Sequence, residues 1–287
     1  MEKNKHQCQE QKPSKERGHI MSSKITFKKF SLFDNKNEEI GAVTLEHLWA
    51  DVFGLRIKRT EKAALASQWE SAFQESLVQT QIFSARQVIY RLIKDKDSEE
   101  ISRLLPGLGF EKKNERIEYK KPIDELPDDE GSPIIWKSAA ELCWSHQEIA
   151  NTLKLVAIGD PDTDPNEDPL LFIQDFLADP VLTSGLQCIH IGFIENEVAA
   201  LTVIQINPKS GWSRISYMGM TPKFRNRNLG QWVHRYSFKQ MKIQGGKIYH
   251  GGTTATNKPM IHLFEKHGCN LFCEMQEWVY FSKRDQP

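Results

Sequence analysis

The chain lacks net charge, long apolar runs and any regular cysteine spacing, and each absence excludes a class of protein. Across 287 residues, 38 Lys and Arg offset 38 Asp and Glu. A balanced chain has no global field to draw it onto a polyanion, which argues against a nucleic-acid partner. No stretch approaches the roughly 18–20 consecutive apolar residues of a membrane-spanning helix, so no membrane partner is expected. The five cysteines, Cys8, Cys143, Cys188, Cys269 and Cys273, form no C-x-x-C pair. An odd count without repeating spacing argues against a disulfide framework and points to a reduced, cytoplasmic setting. No metal is expected either: His262 and His267 stand five apart, on different faces of a helix. The opening 22 residues are polar, without the apolar core of a secretory signal. They read as a disordered tail, with Met21 available as an alternative start.

What is present is an ordinary globular composition, 26% charged and 39% hydrophobic. The segment Lys121 to Pro133, KPIDELPDDEGSP, is acidic and rich in Pro, Asp and Gly. It reads as a linker over 125–133 between a first unit, 23–124, and a larger one, 134–284. In the larger unit the periodicity predicts a strand over 133–138 and helices over 139–156 and 169–178. Strands follow over 187–194, 197–206 and 212–220, then a helix over 229–244, a strand over 247–254, a helix over 259–267 and a strand over 270–282. In the smaller unit, 24–33 alternates as a strand, 45–53 and 61–76 look helical, and 79–88 reads as another strand. Its end, 99–123, is a helix, a Gly-Phe and a strand, as in the larger unit.

The most informative stretch is MTPKFRNRNLGQW, Met220 to Trp232, between a strand-like and a helix-like run. The first turn of a helix carries amides without intrahelical acceptors, and the helix dipole adds positive potential there. Gly230 permits close backbone approach, and Asn226 and Asn228 are the side-chain-bearing residues best suited to positive φ. Lys223, Arg225 and Arg227 add donors for the same anion. A phosphate cradle and an ordinary basic-rimmed loop both fit these features. A second segment, TTATNKPMIHLFEKHGCNLF, gives a strand end, Asn257, an amphipathic helix, Gly268 and another strand.

Together the two segments resemble the GNAT superfamily of acyl-CoA N-acyltransferases, over roughly Ser132 to Lys283. The first motif reads Met220-Thr221-Pro222, then Arg225-Asn226-Arg227-Asn228-Leu229-Gly230. The second reads Asn257, Leu263-Phe264-Glu265-Lys266 and Gly268-Cys269. The resemblance implies an α+β fold, an α/β/α sandwich whose mixed, mostly antiparallel sheet is flanked by helices, beside a second, smaller α+β domain. The smaller domain resembles a shortened GNAT domain without the phosphate loop; a generic α+β domain is the other reading. Acetyl-CoA is implied as co-substrate, and a small-molecule or peptide amine as acceptor. The first half would then support the fold, cover the acceptor side or mediate homodimerisation.

Carried over, the main chain of Met218 and Met220 would bond the pantetheine, and the Met220 amide would polarise the thioester carbonyl. The amides of Arg227 to Gly230, with Asn226 and the Arg225 side chain, would hold the pyrophosphate. Asn257 would bond the pantetheine or lock the neighbouring loop, although an Asn before a helix also serves as an N-cap. Two departures stand out: Asn228 replaces a loop glycine, and Phe264 replaces the tyrosine that protonates the leaving thiolate. Arg214 falls where some members carry a Glu base. Ser216 and Tyr217, on opposite faces of one strand, and His250 on the next are the local base candidates. Asp160, Asp162, Asp164, Glu167 and Asp168 form an acidic loop that would favour a cationic acceptor such as a polyamine, or is merely solvated. A calcium loop is a poor fit, with Pro165 at its sixth position and Leu171 at its twelfth. A non-catalytic acyl-CoA-binding or interaction module is the alternative from another class.

Overall fold

The structure, a computed structural model, describes residues 28–49, 52–59, 66–82, 87–94, 98–163, 167–179 and 182–282. The expected tail over 1–22 lies outside the described residues. In the first half the chain runs β1 (Lys28–Phe33), β2 (Glu39–Trp49), β3 (Val52–Arg59), α1 (Ala66–Ile82), β4 (Gln87–Ile93), α2 (Ser98–Leu104) and β5 (Glu111–Pro122). The second half continues with β6 (Ile135–Ser138), α3 (Ala139–Leu142), α4 (His146–Ala157), α5 (Pro169–Ala178), β7 (Ile189–Ile194) and β8 (Glu197–Ile206). It ends with β9 (Trp212–Met220), α6 (Gly230–Ile243), β10 (Ile248–Thr254), α7 (Lys258–Lys266) and β11 (Asn270–Phe281).

The eleven strands of the described residues join one sheet in the order β1-β2-β3-β4-β11-β5-β10-β9-β8-β7-β6. The two halves therefore exchange their last strands. β5, from the first half, lies antiparallel between β10 and β11, while β11 lies between β5 and β4. The cores interlock in the same way. Tyr119 and Ile123 belong to the apolar cluster of the second half, and Trp278 to that of the first. The 125–133 segment thus joins two sets of elements without dividing the sheet.

The first half departs from its periodicity. The 45–53 stretch, expected as a helix, supplies parts of β2 and β3 instead. The Val43, Leu45, Phe53 and Leu55 side chains bury into the core from paired strands, so cross-strand packing overrides helical spacing. α1 also runs on to Ile82, into the first four residues of the expected 79–88 strand, whose last two, Gln87 and Val88, open β4. In the second half, the helix expected over 139–156 breaks at Cys143, whose φ is 54°, and restarts under a Ser145–Glu148 capping box. Among the described residues Cys188, Cys269 and Cys273 are free thiols. Among the described residues no helix is long and apolar enough to cross a membrane.

Candidate functional site

β9 and β10 run parallel but pair only at Trp212–Ile248 and Ser213–Tyr249. Beyond that point no ladder joins them, which leaves an unpaired gap between the two strands toward their C-terminal ends. Which groups line it follows from the strand geometry. The Thr221 amide donates to Ala199 on the β8 side at 2.9 Å, so the Met220 carbonyl turns the other way. In an extended chain the N–H and C=O of one residue share a side, and the side recurs every second residue. The amides of Met218 and Met220 and the Met218 carbonyl therefore open on the gap.

The loop above the gap matches its sequence expectation in backbone terms. Asn226 and Asn228 take φ of 59° and 56°. The first turn of α6 has no side-chain cap. Among the described residues, no protein acceptor meets the amides of Arg227, Asn228, Leu229, Gly230 or Gln231. A Cβ added at Gly230 would meet only Leu263 Cδ1, at 3.6 Å. This run of unpaired donors at a helix start is suited to an anion with several oxygens.

The loop side chains are arranged differently from expectation. The Arg225 guanidinium turns inward, and its donors go to the carbonyls of Met220, Ile158 and Val156. Two of those carbonyls end α4, where a cation also meets the negative end of the helix dipole. Arg225 therefore staples loop to helix and offers no free donor set to a pyrophosphate, which corrects the role expected for its side chain. Lys223 pairs with Glu197, and Arg227 lies exposed over the Phe224 ring.

The α4–α5 loop bridges both lips of the gap. Asp160 accepts from Tyr217 Oη at 3.1 Å on β9. Asp162 accepts from Thr253 Oγ1, from the Thr254 amide at 2.7 Å on β10, and from Asn257 Nδ2 at 2.8 Å. Burial would raise the Asp162 carboxyl, but those hydrogen bonds outweigh it and hold the pKa below the usual range. Asn257 is fully engaged, since its Oδ1 also caps α7 through the Met260 amide. Asp168 caps α5. Three acids of the loop thus serve internal bonds.

The base candidates fall into separate settings. A bulge in β9 between its pairings to Val203 and Ile204 places Ser216 and Tyr217 on the same face, not on opposite ones. Ser216 Oγ donates to Gln205 Oε1 at 2.7 Å, and Gln205 reaches Asp179 at the end of α5. Tyr217 packs on Phe172 of α5, and burial first, then Asp160, raises its pKa far above the phenol range. His250 Nε2 stands 3.7 Å from Glu118 Oε2, a residue of β5 from the first half. Burial lowers the His250 pKa, with Glu118 opposing and Lys120 assisting. Sequence reasoning missed Glu118, because only the strand exchange brings it there. Phe264 is fully buried and stacks on Tyr119 at 4.6 Å, so no proton donor stands at its position.

Residues 151–269 match the family model described as "Acetyltransferase (GNAT) family". No curated protein sequence matches the chain. Solved structures do. A GCN5-related N-acetyltransferase from Sphaerobacter thermophilus superposes with a TM-score of 0.62 at 12% identity, covering 88% of this chain and 80% of that one. One from Kribbella flavida gives 0.58 at 14% identity, covering 85% and 88%. A tandem GNAT protein from the clavulanic acid biosynthesis pathway gives 0.55 at 9% identity, covering 89% and 83%. These identities speak for fold alone, and they extend it over both halves. Residues 151–269 are thus similar to the GNAT family, and the likeness of fold to GNAT structures extends over both halves of the chain.

Proposed function

We propose that the protein is an acyl-CoA-dependent N-acyltransferase, transferring acetyl from acetyl-CoA to a primary amine by direct attack in a ternary complex. The observation that carries this reading is the run of unpaired amides from Arg227 to Gln231, set directly above the β9–β10 gap. These amides would hold the diphosphate, with the Asn226 and Asn228 backbone shaping the turn. Bound acetyl-CoA supplies an activated thioester. Entering from the loop, the pantetheine arm passes two amides before its thioester. Met220 therefore meets an arm amide first, and the deeper Met218 amide is the better placed donor for the developing oxyanion. This moves the polarising role expected of Met220 one ladder position inward.

Attack requires a neutral amine. His250, held neutral by burial, takes the ammonium proton, and Glu118 steadies the imidazolium that forms. The amine nitrogen bonds the carbonyl carbon, the C–S bond breaks, and the proton that the acylated nitrogen sheds passes through solvent to the departing thiolate. Ser216 and Tyr217 orient the face beside the gap instead of moving protons, because their hydroxyls already donate to Gln205 and Asp160. Proximity can contribute about 7–11 kcal/mol to such a reaction.

A second reading, acyl-CoA binding without turnover, draws on the buried Phe264 and on Asn257 being committed to Asp162. A thermal-shift titration with acetyl-CoA and CoA, paired with a thiol-release assay over an amine panel, separates the two. A shift with amine-dependent release supports the enzyme. A shift without release supports the binder, and no shift with either ligand sinks both.

A further inference from the structure

Arg214 is the one strongly charged side chain of β9, and its surroundings suit an anion. Gln205, 2% exposed, presents Oε1 to Arg214 Nε at 2.9 Å and to Nη2 at 2.6 Å. The same oxygen takes Ser216 Oγ, so it is saturated by three donors and fixes the guanidinium plane. Among the described residues no acceptor meets Nη1. The Arg214 side chain is nonetheless exposed, with its Cζ 5.7 Å from the Trp212 ring centre. It is a cation crowded by protein yet open to solvent, clamped by a neutral amide and oriented before any ligand arrives.

Its position relative to the reaction follows from the sheet. Tyr249 is level with Ser213 in the last pair of the parallel ladder, so Arg214 and His250 are the next residues of the two strands, at the foot of the gap. The Trp212 ring lies close to both, 6.1 Å from the His250 ring. The other charges acting there are Glu118 and Lys120 on β5, Asp179 at the end of α5 and Arg91 on β4. Glu118 faces His250, Asp179 is bonded to Gln205, and Arg91 is paired with Glu277. The nearby acids Asp160 and Asp162 bond across the gap, to Tyr217 and to the Thr254 amide.

We propose that the acceptor is an amino carboxylate, an amine with a carboxylate a few bonds away, and that Arg214 is the receptor for that carboxylate. The planar fork of an arginine matches a carboxylate edge, and a fork whose orientation is already fixed loses little freedom on binding it. With the carboxylate on Arg214, the amine is directed to His250 and the mouth of the thioester gap. The inference rests on the transferase reading, which it narrows to a substrate class.

The test compares each of several α-amino acids with its carboxamide and its decarboxylated amine, using acetyl-CoA and thiol release. The free acids should be preferred in kcat/KM by roughly 10–100-fold, the size of one charge-assisted pair. Arg214→Ala should collapse that ratio, and Arg214→Lys should restore part of it. In parallel, calorimetry titrates the same acids and carboxamides into protein saturated with CoA, which reads recognition without turnover. Equal or better use and binding of the carboxamides, or a ratio unchanged in Arg214→Ala, overturns the carboxylate receptor and leaves the transferase intact. Absence of any acetyl-CoA binding overturns the transferase reading, and with it this one.

Discussion

Arg225 and Gly230 occupy one loop but should fail in opposite ways when replaced. Arg225→Ala removes three hydrogen bonds, to the carbonyls of Met220, Ile158 and Val156. At about 1 kcal/mol each, the loss is on the order of 3 kcal/mol. For a protein of this size, that lowers Tm by roughly 6–12 °C. The amide run stays, so saturating acetyl-CoA should still raise Tm, a ligand at a hundred times its Kd contributing about 2.7 kcal/mol. Gly230→Glu behaves inversely. Its new Cβ meets only Leu263 Cδ1 at 3.6 Å, so ligand-free Tm should hold. Its carboxylate lies among the free amides and repels a diphosphate, so the acetyl-CoA shift should vanish. Differential scanning fluorimetry of both variants, with and without acetyl-CoA, reads all four quantities. If Arg225→Ala keeps the wild-type Tm while losing the ligand shift, Arg225 is a phosphate ligand and its structural assignment is wrong.

Other outcomes follow from the same geometry. His190 and His267, 4% and 3% exposed, are held neutral by burial, each with its pKa lowered to about 4. The unfolded chain protonates them near pH 6.5, so stability should fall as pH drops from about 6.5 to about 4, by on the order of 3 kcal/mol per histidine. Urea denaturation at pH 7 and pH 4.5 checks this, and equal stabilities would refute it. A chain beginning at residue 127 lacks β5 and leaves β10 and β11 with unpaired edges. It should aggregate or fail to fold, and a well-dispersed monomer by size exclusion and circular dichroism would contradict the strand exchange. Asp162→Ala frees Thr253, the Thr254 amide and Asn257. Hydrogen exchange at the Thr254 amide should accelerate, with stability falling by about 1–3 kcal/mol; unchanged protection would mean that the bridge does not hold the lips.

The candidate site was legible unevenly. The positive φ of Asn226 and Asn228 and the uncapped start of α6 were readable because they are local backbone preferences. So was Phe264, whose lack of a hydroxyl is a fact of the residue itself. The side-chain roles of Arg225, Asp160 and Asp162 were not, since each is decided by partners distant in sequence, Val156 and Ile158 for the first, Tyr217 and Thr254 for the others. Ser216 and Tyr217 share a face only because one bulge interrupts the alternation, and bulges leave little trace in composition.

The sequence alone determined the elements of the second half, from the α5 span to the β9 loop and the amphipathic α7, because short-range periodicity and capping decide them. It misread 45–53, where helical spacing yielded to burial between paired strands. Only the tertiary structure decided that the halves trade strands, that Glu118 meets His250 across that exchange, and that Gln205 aims Arg214 at an open face. Those outcomes depend on which backbones pair across long loops. That choice is set by the fit of whole surfaces and has no local signature to read.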